Sequence, residues 1–304
     1  MVYSELLLQY LKNDIQMKNF SKILLIVFFV ALIFASCKEP QETATKGYLK
    51  CYVDESLYNL IKTERDTFIA QYPKSKIDLV KVTAREGIAA MLNGEAKLFI
   101  SSRNLNDEEK SFFDKTKPGI RALKFCYDAV VPIVKENESA KQIKLDDLKK
   151  LLTGQLNNYK IFIPERNSGV YEFVKTIMLE NKELVNVSVV KNEDEVIDKV
   201  KSSKNILGLV GLNTLSGVKG VKILDVGRSL KGIDEIVYYY PYVAYLVTEN
   251  YPLQRLTTII INDVGGVASG FATFLTFNKG QEIVAKSDLG PATVPVKMVQ
   301  TNRR

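Results

Sequence analysis

An α/β fold of two lobes, each a mainly parallel sheet flanked by helices and the pair joined by two crossing strands, is what this sequence predicts. Three observations carry the expectation. Strand and helix patterns alternate from Gly47 onward, and two extended stretches are too long for one small sheet. A chain of 304 residues, 46% hydrophobic and 25% charged, also has room for two cores rather than one oversized one. No internal repeat points to a solenoid.

The elements follow in order. Gly47 to Val53 (GYLKCYV) reads as a strand, and a helix from about Ser56 to Ala70 sets Leu57, Leu60, Ile61 and Phe68 on one face. Tyr72-Pro73 stops it. Ile77 to Val82 is a second strand, and Glu86 to Leu92 a short helix ended at Asn93-Gly94. After a third strand, Lys97 to Ser101, Asn106 caps a helix whose first turn (Asp107, Glu108, Glu109) places acids against the positive end of the helix dipole. This βαβαβα opening implies a mainly parallel sheet with helices on both faces. The long strand Ala122 to Val134, with Asp128 in its middle, can leave one lobe and enter the other. Leu145 to Leu152 is a helix closed by Thr153-Gly154, and Ile161 to Ile163 a short strand. Then come a helix from about Gly169 to Leu179, strand Val185 to Val190, helix Glu193 to Lys201 and strand Ile206 to Gly211. Ile236 to Val247 reads as the return crossing. The tail adds a strand, Thr257 to Asn262, and helices near Val267 to Phe277 and Gly280 to Lys286. The lobes are expected at 47–128 plus 245–304 and at 129–244, with the crossing strands as a hinge that closes over a ligand.

The first segment is an address. Ile23 to Ser36 (ILLIVFFVALIFAS) follows Lys18 and Lys22, and is shorter than the ~20 residues a membrane span needs. Residues 1–36 therefore read as a signal peptide, and Met17 marks residues 1–16 as an over-extended start. FASC, ending at Cys37, resembles the lipobox of bacterial lipoproteins, although Phe34 stands where such motifs usually carry leucine. Cys37 is the expected lipidation site, residues 37–46 a tether, and an uncleaved anchor helix the alternative. Export implies an oxidising compartment. Cys51 and Cys126 could pair there, or remain two buried free thiols.

Composition excludes several classes. Histidine is absent, so Ser-His-Asp or Cys-His catalysis and His-ligated zinc or haem are ruled out. The three cysteines show no metal-ligand spacing. The net charge is +7, but basic residues are interleaved with acidic ones and no basic run carries stacking aromatics. That makes nucleic acid the weaker reading and leaves an anionic lipid surface or a small anionic ligand as partners the charge would suit.

Ligands of open α/β sheets bind beyond the carboxyl ends of the strands, where helix starts offer unpaired N–H donors suited to an oxyanion. Three corners carry small hydroxyl residues: Asp54-Glu55-Ser56-Leu57, Ser101-Ser102-Arg103-Asn104, and Glu165-Arg166-Asn167-Ser168-Gly169. Thr83-Ala84-Arg85-Glu86-Gly87 is a weaker fourth. Singly, Ser56, Asn106 and Ser168 are good N-caps, and Arg103 and Arg166 ordinary loop arginines. Together, hydroxyls and arginines converge on a tetrahedral oxyanion, which arginine grips bidentately. Asp54 and Glu55 would repel such a ligand unless they point away.

The mature chain resembles the PstS-like family, the phosphate-binding component of the bacterial ABC phosphate importer. FCYDAVVPIVKENE with IKLDDLKKLLTG is similar to its hinge strand and following helix, and ERNSGVYEFV to its phosphate loop. NILGLVGLN, YPLQR and FNKGQEIVAKSDLGPA are similar to later segments. The resemblance implies a class II periplasmic-binding-protein fold, with Ser56, Leu57, Ser101, Ser168 and Gly169 at the family's ligand-binding positions. The chain departs from the pattern at Ser102, where the family has an aspartate that accepts the proton of hydrogen phosphate. It departs again at Pro164, where an arginine is usual, and at Val170, where a threonine is. Arg103, Arg166 and Asn167 complete the expected ligand set, with Thr83 and Arg85 as outer candidates. The implied protein is monomeric, lipid-anchored and non-enzymatic. It uses no cofactor or metal and delivers inorganic phosphate to the importer's permease. Another oxyanion (sulfate, molybdate), or a sensor or surface role on the same fold, is the alternative.

Overall fold

The computed structural model of the protein describes residues 42–229, 235–262 and 265–295. The leader, Cys37 and the tether up to Gln41 lie outside the described residues. Elements are numbered in chain order.

Side chains alternate across the first sheet with the period of two that a strand imposes. In β1 (Gly47–Asp54), Leu49, Cys51 and Val53 face one layer of helices and Tyr52 the other. In β3 (Leu98–Ser101) and β12 (Gln254–Asn262) the split repeats, with Ile100 and Ile259 on one side and Phe99 and Ile260 on the other. One face is covered by α1 (Tyr58–Gln71) and α8 (Gly266–Thr276), through Leu60, Ile61, Phe68, Phe271 and Leu275. The opposite face is covered by α2 (Ala84–Asn93) and α3 (Asp107–Thr116), through Ile88, Met91 and Phe113.

Sequence caps set the helix starts. Thr83 and Asn106 each form a capping box, with Glu86 and Glu109 respectively, and Gly94 closes α2 in the left-handed conformation. The expected helix from Ser56 opens as a 3-10 turn, Glu55–Leu57, before α1 begins.

Strand order is β2 (Ser75–Val82), β1, β3, β12, β4 (Ile120–Lys135), β8 (Ile206–Gly211), β6 (Lys160–Pro164), β7 (Val187–Val190). β1 runs parallel to β2 and β3, and β6 parallel to β7 and β8, while β12 and β8 flank β4 antiparallel. The long strand does change sheets. β4 pairs with β12 up to Ala129, then with β8 from Val130 and with β9 (Val221–Ile223) from Ile133. Beyond that handover a second core forms around Val131, Ile133, Leu148, Leu151, Ile163, Val174, Val196 and Leu209. Its helices include α4 (Leu145–Leu152), α5 (Gly169–Glu172), which continues as a π-helical turn to Met178, and α6 (Glu193–Ser202).

The return segment differs from expectation. Only Ile236–Tyr239 is strand (β11), in a separate three-stranded sheet with β10 (Asp225–Ser229) and β5 (Gln142–Lys144). Val243–Val247 is a short helix, α7. Pro241 lacks the N–H a ladder needs, and Tyr242 N donates to Tyr240 O at 2.7 Å, turning the chain. Cys51 and Cys126 are buried free thiols, and burial pushes both well above the ordinary thiol range.

Candidate functional site

The carboxyl ends of β1, β3, β6 and β8 bring the two cores' loops against one another. Asp54, the last residue of β1, is fully buried. Its Oδ1 accepts from Ser56 N at 3.0 Å and its Oδ2 accepts from Ser102 Oγ at 2.8 Å. Gly169, beyond β6, meets this pair from the other core: a Cβ there would stand 1.8 Å from Ser102 Oγ and 3.2 Å from Asp54 Oδ2. Only a glycine allows that approach. Gly211, ending β8, does the same beside Ser56, where a Cβ would lie 2.8 Å from Ser56 Cβ and 2.9 Å from Arg255 Nη2.

Glu193 opens α6 behind the N-cap Asn192 and is buried to 1% exposure. It collects donors from three segments. Ser56 Oγ and Thr214 Oγ1 both donate to it, and Gly211 N donates at 2.8 Å. Beside it, Arg255 of β12 donates through Nε (2.9 Å) and Nη2 (2.6 Å) to Asp128 Oδ2, its register partner on β4.

Electrostatics follow from this crowding. Three carboxyl groups, Asp54, Asp128 and Glu193, share one guanidinium, that of Arg255, while Glu55 faces Lys81. Burial raises the Asp54 and Glu193 carboxyls above their ordinary range, and Arg255 opposes both shifts. Glu55 is pushed up to about 9, first by burial and then by the charges of Glu193 and Asp54.

Arg103, expected to grip the ligand, grips protein instead. Its Nη1 and Nη2 hold Glu109 at 2.8 Å each, and Nε pairs with Glu172 of α5. Arg85 pairs with the same Glu172, and its backbone N donates to Asn167 O at 3.2 Å. Both contacts run between the two cores. A cleft of about 520 Å³ opens beside them, lined by Arg85, Arg103, Glu172, Phe173, Gln254 and Arg255. Lys81 Nζ and Asp194 Oδ2 add a third inter-core pair at 3.0 Å.

The structure thus brings together Ser56, Ser102, Ser168 and Gly169, with Leu57 and Ser101 buried just behind them. Ser101 Oγ accepts from Arg103 N at 3.3 Å, and Ser168 caps α5 by accepting from Tyr171 N at 3.1 Å. Thr83 is engaged in its own capping box. Arg166 and Asn167 lie exposed. Asp54 does not point away from the cluster, contrary to what its repulsion of an anion would require. Sequence reasoning missed Glu193, Arg255, Glu172, Gly211 and Thr214. One signal was legible: Asp128 and Arg255 each interrupt an apolar strand, and charges so placed need each other. Among the described residues no cluster of metal ligands occurs, and no helix is long and apolar enough to cross a membrane.

Comparison with known proteins agrees with this architecture. Over 245 residues the chain is 26% identical to the phosphate-binding protein PstS of Borreliella burgdorferi, covering 72% of this chain and 82% of that one. A phosphate ABC transporter substrate-binding protein from Clostridium perfringens, solved with bound phosphate, superposes with a TM-score of 0.69 at 19% identity. That match covers 81% of this chain and 100% of the other. An ABC-type phosphate transport receptor from Vibrio cholerae follows at 0.60 and 15%, over 80% and 99% of the two chains. These likenesses establish the two-lobed class II periplasmic-binding-protein fold. Residues 38–279 match the model of the PBP superfamily domain, and the chain belongs to that family.

Proposed function

We propose that this protein is an exported, lipid-anchored solute-binding protein that captures inorganic phosphate between two lobes and delivers it to an ABC importer. The observation that carries the reading is the meeting of Ser56, Ser102 and Gly169 around one buried carboxylate, Asp54. Hydroxyl and amide donors of one core, on Ser56 and Ser102, meet the Ser168-Gly169 helix start of the other core there, an arrangement suited to enclosing a small multiply charged ion. The PstS relative and the phosphate-bound neighbour support phosphate as that ion. The apolar leader and the FASC stretch that ends at Cys37 support cleavage and lipidation at that cysteine.

The lobes of this reading are 47–128 plus 245–304 and 129–244, and the change of β4's partner at Ala129/Val130 supports the first boundary. Ser56, Leu57, Ser101, Ser102, Ser168 and Gly169 form the ligand's surroundings. Arg103 and Arg85 act through Glu172, by holding the lobes in register. No covalent chemistry is involved. Ser168 Oγ is engaged as an N-cap, and Lys175, its only sequence-near amine, is paired with Glu183.

Isothermal titration of the purified protein with phosphate and with sulfate tests this. Saturable phosphate binding that sulfate does not match is expected. Heat from sulfate alone, or from neither ion, contradicts the reading.

A further inference from the structure

Resting on that reading, we infer that Glu193 is the site's built-in competitor, a carboxylate that occupies the donors an oxyanion needs and so sets how tightly the ligand binds. Glu193 is almost wholly buried, and the three donors on it are two hydroxyls and one backbone amide, the groups that hold oxyanions in water-free sites. Two of them, Gly211 N and Thr214 Oγ1, come from its own side of the β4 handover. The other, Ser56 Oγ, comes from the opposite side, 137 positions away.

Ser56 joins this carboxylate to the Asp54 cluster, because its backbone N is bound to Asp54 while its hydroxyl is bound to Glu193. A phosphate entering between Ser56, Ser102 and Gly169 therefore meets two internal anions already holding the donors. It must take the Ser56 hydroxyl from Glu193, and it must do so close to that group's charge. The exchange costs affinity in proportion to how firmly Glu193 holds Ser56 and how much of its charge it keeps.

The charged groups facing Glu193 come from each neighbouring element. Asp54 ends β1, Glu55 lies in the turn after it, Arg255 sits on β12, and Lys81 on β2 faces Glu55. Of these, Arg255 alone favours the charged form of Glu193 directly. Its attraction is shared with Asp54 and Asp128.

Glu193→Gln separates this role from a structural one. The amide keeps an oxygen for Gly211 N and Thr214 Oγ1, while its NH2 donates to Ser56 Oγ and frees the Ser56 proton for a ligand. Phosphate titration should give at least tenfold tighter binding in the variant than in the wild type at pH 8. That gain should shrink as pH falls and the wild-type carboxyl takes up its own proton. Comparing the two proteins at each pH cancels the titration of phosphate itself. Glu193→Asp, whose shorter arm withdraws from Ser56 while keeping its charge, should bind at least threefold more tightly and serves if the amide variant does not fold. Unchanged or weaker phosphate binding in the folded variants overturns the inference while leaving phosphate capture intact. Absence of binding in wild type and variants alike overturns both.

Discussion

Ser102 Oγ donates to Asp54 Oδ2 at 2.8 Å, and Gly169 presses against both from the other side of the molecule. The hydroxyl comes from the end of β3, the carboxylate from the end of β1 and the glycine from the start of α5. Three loops that are far apart in sequence thus meet at one buried point.

Gly169→Ala should disrupt that meeting. Its methyl group would lie 1.8 Å from Ser102 Oγ, so the loop or the serine must move. Overpacking of this kind costs about 1–3 kcal/mol. Urea unfolding should show a loss in that range, and phosphate titration a weakened affinity. Wild-type values for both would show that the two loops are not packed together.

Arg255 and Asp128 form a buried pair, 3% and 0% exposed. Removing one charge from such a pair leaves the other unpaired and costs about 3–5 kcal/mol. Arg255→Leu should lose that much by urea unfolding, and Asp128→Leu added to it should recover part. Recovery stays incomplete because Arg255 also faces Asp54 and Glu193.

The contacts of Glu172 grade by exposure. Arg103 is 16% exposed and holds both Glu172 and Glu109, whereas Arg85 is 62% exposed. Arg103→Ala should cost about 1.5–3 kcal/mol, the scale of charged hydrogen bonds out of water. Arg85→Ala should cost under about 1 kcal/mol, as a screened surface pair does. Equal losses in denaturant titrations would contradict the ranking.

Much of this architecture can be read from the chain alone. Asn106 and Thr83 announce helix starts because their side chains bond locally, within three residues. The length of β4 betrays a strand serving two sheets. Ile236 to Val247 misleads because its apolar run suits a strand, while Pro241 within it ends one. At the site, Ser56, Ser102, Ser168 and Gly169 beside strand ends were legible, but Gly211, Thr214 and the fate of the arginines were not. Arg103 finds Glu172 only through tertiary packing, and a charged residue carries no local sign of whether it ends in solvent or in an ion pair. Glu193 escaped notice for the same reason: acids in a first helical turn are ordinary, and burial sets this one apart.

Glu64 supplies a pH test remote from the ligand. Both its oxygens are buried without a hydrogen-bond partner among the described residues, and burial pushes its carboxyl up to about 9. A raised folded-state value means that the native protein holds the proton more tightly than the unfolded chain. Stability is then fully present below the ordinary glutamate range and falls as pH rises toward 9, by up to about 1.4 kcal/mol per pH unit. Glu55 adds a slope of the same sign. Urea midpoints at pH 5, 7 and 9 should fall for the wild type and fall less for Glu64→Met. Parallel curves would show that Glu64 is not protonated in the folded state.

A crystal structure of the protein grown with phosphate tests the central claim most directly. Tetrahedral density bonded to Ser56, Ser102 and the Ser168-Gly169 loop, with the Ser56 hydroxyl turned from Glu193 to the ion, is the predicted result. Phosphate lodged elsewhere, with Ser56 still bound to Glu193 and Ser102 to Asp54, would contradict it.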